Sequence, residues 1–92
     1  MTGKSKHDKK VERIAAAYLG MGYDVQADLP NYDKPRPIRG RIPDVVARKG
    51  KTTKIVEVET PDSFKGHKDQ RDILRDYARQ RSRTKFRVTR TD

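Results

Sequence analysis

Residues 42–60 read IPDVVARKGKTTKIVEVET. Ile42, Val45, Val46 and Ala47 make an apolar run with Asp44 inside it, and Lys49-Gly50-Lys51 is turn chemistry. Lys54 to Thr60 alternates again, with Ile55, Val56 and Val58 among Glu57 and Glu59. Two β-rich runs joined by a short glycine turn predict a hairpin, with strands over 42–48 and 54–60. Glu57 and Glu59 are two apart, so on a strand they share a face. Asp44 belongs to the partner strand and shares that face in one of the two possible registers; spacing alone leaves the register open.

Outward from the hairpin, the other elements follow from periodicity. Upstream, Val11, Ile14, Ala15, Tyr18 and Leu19 recur at helical spacing over 11–21, and Gly20 and Gly22 end the run. Tyr23, Val25 and Ala27 alternate with polar residues and predict a short strand over 23–27. Between that strand and the hairpin lie Pro30, Pro35 and Pro37 with Lys34, Arg36, Arg39 and Arg41. Prolines at this density predict a long irregular loop, and its bases suit contact with a polyanion backbone or a plain solvated insertion. Downstream, Pro61-Asp62-Ser63 breaks the strand and offers helix-capping chemistry. A second helix is expected from about Phe64 or Gly66 to Arg81, with Ile73, Leu74, Tyr77 and Ala78 inward and Gln70 one turn back. Phe86 and Val88 predict a last strand over 85–89. The order is helix, strand, strand, strand, helix, strand: an α/β domain whose small mixed sheet is flanked by two helices. Residues 1–7 are expected to be a flexible basic tail and 8–92 a single domain.

Composition pulls the other way. Leu, Ile, Val and Phe make up about 18% of the 92 residues, and the net charge is +10, a combination typical of disordered chains. The amphipathic patterns outweigh it for about residues 8–90. No apolar run is long enough to span a membrane, no cysteine is present for a disulfide or a thiol nucleophile, and a cytoplasmic chain is expected. His7 and His67 stand apart from any second ligand at zinc spacing. His67 reads as a surface residue. The excess positive charge favours nucleic acid as partner. Lys4, Lys6, Lys9 and Lys10 in the tail, Arg36, Arg39 and Arg41 in the loop, and Arg71, Arg75 and Arg79 along the second helix are the candidate phosphate contacts. Lys68 falls on the same helical stripe.

Against this background the three glutamates, Glu12, Glu57 and Glu59, all fall in ordered elements, and Asp44 joins them. The strand alternation also fits a solvated face, with the valines inward and the glutamates outward. Gathered together, these carboxylates would resist ionising, and a divalent cation would relieve the repulsion. Magnesium takes oxygen ligands and serves phosphodiester cleavage. Acidic cluster and basic surface therefore converge on metal-dependent hydrolysis of nucleic acid.

Pro43-Asp44, the Lys49-Gly50-Lys51 turn and Glu57-Val58-Glu59 resemble the signature of the PD-(D/E)XK nucleases, the restriction-endonuclease-like fold. The αβββαβ order is similar to the core of that fold. Lys10-Val11-Glu12-Arg13, Gly22-Tyr23-Asp24-Val25, Pro43-Asp44-Val45-Val46-Ala47 and Ile55-Val56-Glu57-Val58 resemble archaeal Holliday junction resolvases. The resemblance implies a Mg²⁺- or Mn²⁺-dependent endodeoxyribonuclease acting on structured DNA such as junctions, with a homodimer to cut two strands. It implies Glu12, Asp44, Glu57 and the Val58 carbonyl around the metal, and Gln70 near the site. The departure is Glu59, where the family has a catalytic lysine. Lys68 or Lys54 would have to fill that space, or Glu59 would serve as the base. The other readings are a non-cleaving DNA- or RNA-binding relative, and an unrelated small basic RNA-binding protein.

Overall fold

The computed structural model describes residues 5–91. The expected hairpin forms from β2 (Val45–Lys49) and β3 (Thr52–Glu59), antiparallel, with Val45 opposite Val56 and Lys49 opposite Thr52. Gly50, at φ 59°, supplies the left-handed residue that so short a turn needs. β1 (Asp24–Ala27) pairs antiparallel with β2, and β4 (Thr84–Arg90) pairs parallel with β3. The sheet order is β1-β2-β3-β4.

α1 (Lys6–Gly20) covers one face. Its Val11, Ile14 and Ala15 join Ala27, Leu29, Val45, Val56 and Val58 in one buried cluster, with Tyr18, Val25 and Tyr32 at its edge. The alternation of β3 turns Ile55, Glu57 and Glu59 to the other face. That face lies under the crossover from β3 to β4, a parallel connection that needs a helix to span it. The crossover helix was expected to be single. It is two: α2 (Pro61–Gly66) and α3 (Lys68–Arg79), meeting at His67. Gly66 weakens the helix at the break, and His67 carries a side-chain contact to β3 described below. Thr60 and Ser63 form a capping box that starts α2, with Ser63 N–H donating to Thr60 Oγ1 at 3.0 Å and Thr60 N–H to Ser63 Oγ at 2.9 Å. Leu74 is fully buried, and Ala78 nearly so, beneath α3.

Two element starts and the proline-rich loop differ from expectation for identifiable reasons. α1 begins at Lys6 because Ser5 caps it, its side chain accepting from Asp8 N–H at 3.1 Å. Lys6 and His7, expected in the tail, are therefore its first turn. β2 begins at Val45 and not at 42: Pro43 has no N–H to offer a ladder, the Asp44 N–H goes to a side chain, and its carbonyl accepts from Asp28 N–H at 2.9 Å. The proline-rich loop also holds a miniature hairpin. Ile38 and Arg41 exchange backbone hydrogen bonds at 2.7 and 3.0 Å around Arg39 and Gly40, both at positive φ. No helix among the described residues is long and apolar enough to cross a membrane.

Leu74 is the apolar anchor of the α3 layer. Leu74→Ala is expected to lower unfolding free energy by about 2–5 kcal/mol, read as the midpoint of urea denaturation with an unchanged slope.

Candidate functional site

The register left open by spacing is closed by the structure. With Val45 opposite Val56, Asp44 falls beside Glu57, and the two side chains are cross-braced. Asp44 N–H donates to Glu57 Oε1 at 3.0 Å, and Val58 N–H donates to Asp44 Oδ2 at 2.8 Å. Gln70 Nε2, from the first turn of α3, donates to Glu57 Oε2 at 2.9 Å. Glu57 and Glu59 are only 2% and 1% exposed, so the reading of these glutamates as a solvated face fails. The crossover helices cover a strand face that an alternating pattern would otherwise leave in water.

His7 completes this end of the sheet. Its Nε2 lies 3.3 Å from Asp44 Oδ2 and its Nδ1 lies 3.1 Å from Asp8 Oδ1. Sequence reasoning missed it by placing it in the tail. The signal was present: His7 lies one helical turn before Val11, on the same inward stripe, behind a serine cap. Burial lowers the pKa of His7, but the hydrogen bonds and charges of Asp8 and Asp44 outweigh that and raise it. Asp44 is raised as well, by burial, against the opposing pull of the Val58 N–H and His7. Glu57 is pushed up to about 8, first by burial and then by the Asp44 charge beside it. In the protein alone, Glu57 holds its proton at neutral pH.

Glu59 has a different environment. Its Oε1 accepts from Ser63 Oγ at 2.7 Å and lies 3.0 Å from His67 Nδ1, and its Oε2 lies 3.4 Å from Arg71 Nη1. Arg71 was expected on a solvent-facing basic stripe. It is buried, bonded also to the Phe64 carbonyl, with its guanidinium 3.9 Å over the Phe64 ring. Glu59 drew it in, because a buried carboxylate needs a compensating cation. The same acid explains the break at His67, which stands on the surface with its ring turned back to Glu59. Serving as a base for water would require Glu59 to give up these donors.

The remaining expected residues are dispersed. Glu12 is half-buried on α1, the helix of the opposite sheet face. Lys68 is exposed and pairs with Asp72 at 2.7 Å, and Lys54 shares the strand parity of Val56 and Val58, so neither replaces the lysine of the family pattern. Among the described residues no group of three or more His, Asp or Glu side chains is arranged to hold a metal ion; the arrangement is a carboxylate pair. Lys6, Lys9 and Lys10 line a cleft of about 300 Å³ with Arg13, Arg90 and Thr91. Thr91 N–H bonds to the Glu59 carbonyl, so the cleft opens at the same end of the sheet as the carboxylates. Arg36 and Arg41 are exposed on the loop. Arg39 bonds to Gln80 and reaches the Tyr77 ring. Arg75 pairs with Asp72 at 3.3 Å, and Arg79 is exposed. Lys4 lies outside the described residues.

Comparison with known proteins gives no kinship: no family model matches the chain, and no curated protein matches it.

Two outcomes test this electrostatic account. Between pH 4.5 and about 8 the unfolded chain releases the Glu57 proton while the folded chain keeps it. Stability from this group is therefore full below pH 4.5 and is lost as pH rises through about 8. The unfolding free energy from urea titration in EDTA should fall between pH 5 and pH 8, by an amount on the order of a few kcal/mol, and Glu57→Gln should flatten that dependence. Glu59→Lys should destabilise by about 3–5 kcal/mol or unfold the chain, since it sets a second buried cation against Arg71; thermal denaturation reads this directly.

Proposed function

We propose that the chain is a metal-dependent DNA endonuclease with a restriction-endonuclease-like core, acting on structured DNA such as junctions. The observation that supports this most is the Asp44–Glu57 pair: two buried, cross-braced carboxylates at one end of the sheet of a chain with net charge +10.

The donor set fits a hard divalent cation. Magnesium ordinarily uses one or two carboxylates and keeps several waters. Each Glu57 oxygen accepts one hydrogen bond, and once the proton leaves each retains a second lone pair for a cation. Burial has raised both acids, a cost that a divalent charge would offset. Asp44 and Glu57 would hold Mg²⁺ or Mn²⁺, with the Val58 peptide between them. Such an ion supplies Lewis-acid charge for a phosphodiester and acidifies water. The work of the protein's own groups is orientation. Gln70 fixes the carboxylate plane of Glu57, His7 and the Val58 N–H fix that of Asp44, and the Lys6–Lys9–Lys10 cleft beside them receives the phosphate backbone. Glu59 acts as a clamp on the crossover helices in this scheme, and Glu12 stands outside the pair. Lys6, Lys9, Lys10, Arg36 and Arg41 lie on a helix side and a loop, where they meet phosphates and not base edges, which favours recognition of DNA shape over sequence. Coordinated cutting of two strands would take two copies of the chain.

A second reading has its own support. Glu59 stands at the position where the family pattern has lysine, and Lys68 is paired with Asp72, which suits a DNA- or RNA-binding protein that has lost cleavage. Cleavage assays with Mg²⁺ and Mn²⁺ on duplex, four-way-junction and single-stranded DNA separate the two. The expected result is cutting that Asp44→Asn and Glu57→Gln each reduce by about a hundredfold or more, with DNA binding in EDTA retained. Binding without cutting by the natural chain assigns it to the second reading.

A further inference from the structure

A second concentration of positive charge lies at the opposite end of the sheet from Asp44 and Glu57. Thr84 pairs with Thr53, and Arg90 with Glu59. The two ends of β4 are thus six residues (84 to 90) apart, roughly 20 Å at about 3.3 Å per residue. At the Thr84 end, Arg75, Arg79, Arg81, Arg83 and Lys85 line an open pocket of about 460 Å³. Through Arg81, Ser82 and Thr84 it runs into a second basin that reaches Ile38 and Arg48. Neither lining includes an Asp or Glu.

The backbone marks the same groove. Among the described residues, the non-glycine residues at positive φ are Arg39 (52°) and Arg83 (60°). A Cβ disfavours that conformation, and glycine or asparagine would adopt it more easily. Both positions are arginine, and both border this groove: Arg83 lines it, and Arg39 bonds to Gln80 beside it. Strain of this kind persists where the surrounding structure over-determines it, and such residues cluster at ligand clamps. Arg39 is held by Gln80 and the Tyr77 ring, and Arg83 is exposed at the groove.

The aromatic rings narrow the ligand. Arg81 lies 4.2 Å over Tyr77, and Arg75 lies 5.4 Å over Phe86. These faces already carry guanidiniums. Single-strand binders use open aromatic faces as platforms for bases, whereas a duplex backbone asks only for positive charge.

We propose that the groove at the α3–β4 turn seats the phosphodiester backbone of double-stranded DNA, so that one chain holds a duplex arm there while another part of the DNA lies at Asp44 and Glu57. The identity of the polymer rests on the proposed function; the cutting step does not enter. The test measures binding by fluorescence anisotropy in EDTA, with the full chain and a DNA duplex of about 30 base pairs, between about 50 and 200 mM salt. The groove variant combines Arg79→Gln, Arg83→Gly and Lys85→Gln. Arg83→Gly alone should hold or raise the melting temperature, because glycine relieves the left-handed residue. A control variant removes the same charge away from this end of the sheet, with Lys34→Gln, Lys65→Gln and Lys68→Gln, all exposed. The groove variant should bind about tenfold or more weakly, its log K against log salt slope shallower by about 2–3, while the control stays within about twofold. Equal losses in both variants reduce the groove to a general field effect and overturn the proposal. Unchanged affinity of the groove variant also overturns it, and tighter binding of an RNA duplex of the same sequence overturns the assignment to DNA. Groove-dependent binding by a natural chain that never cuts supports this proposal and removes the nuclease reading; cutting with groove-independent binding does the reverse.

Discussion

The cross-brace between Asp44 and Glu57 is the constraint from which the rest of the architecture follows. It ties the residue just before β2 to the last third of β3 through two hydrogen bonds of opposite sense, from Asp44 N–H to Glu57 and from Val58 N–H to Asp44. Buried carboxylates need donors, and the chain supplies them from three directions: the backbone of the hairpin, Gln70 from α3 and His7 from α1. The two helices on opposite faces of the sheet are thereby drawn to one end of it. The apolar core is thin, with Val11, Ile14, Ala15 and a few valines on one side and chiefly Ile55, Leu74 and Ala78 on the other. Polar bracing therefore settles a geometry that apolar contact alone would hold loosely.

Much of this was legible in the sequence, and the limits were physical. The helical stripe of α1, the hairpin and the final strand follow from periods of 3.6 and 2. Register does not, because an alternating strand fits two registers until something covers one face, and what covers it is α3, far along the chain. Arg71 shows the same limit from the other side. Its spacing with Arg75 and Arg79 is that of a solvated stripe, and only the buried Glu59 makes it an interior residue. Pattern reads the element a residue belongs to more readily than the long-range partner that overrides its hydropathy.

The broken crossover follows from one position, Glu59, buried and acidic. An acid there requires donors, and Ser63, His67 and Arg71 converge on it from α2, the α2–α3 junction and α3. A single straight helix from 64 to 81 would leave the 61–66 segment unable to cap itself at Thr60 and would carry His67 out of its present line to Glu59. The break, the capping box and the burial of Arg71 form one connected consequence of that position.

The same division applies to the charge. A net +10 spread evenly would favour an expanded chain through self-repulsion. Here three interior acids, Asp44, Glu57 and Glu59, each gather a basic or amide partner inward, while most of the positive charge is placed at the surface. One basic cleft opens at the same end of the sheet as the carboxylates and another lies at the far end of β4, with the β3–β4 pair between them. A parallel strand pair braced by a crossover helix changes length very little, so the separation of the two clefts is set by the fold. Under the proposed function, a straight duplex and a branched one would differ in how well they meet both clefts together with the acidic pair, a geometric discrimination that needs no base-specific contact.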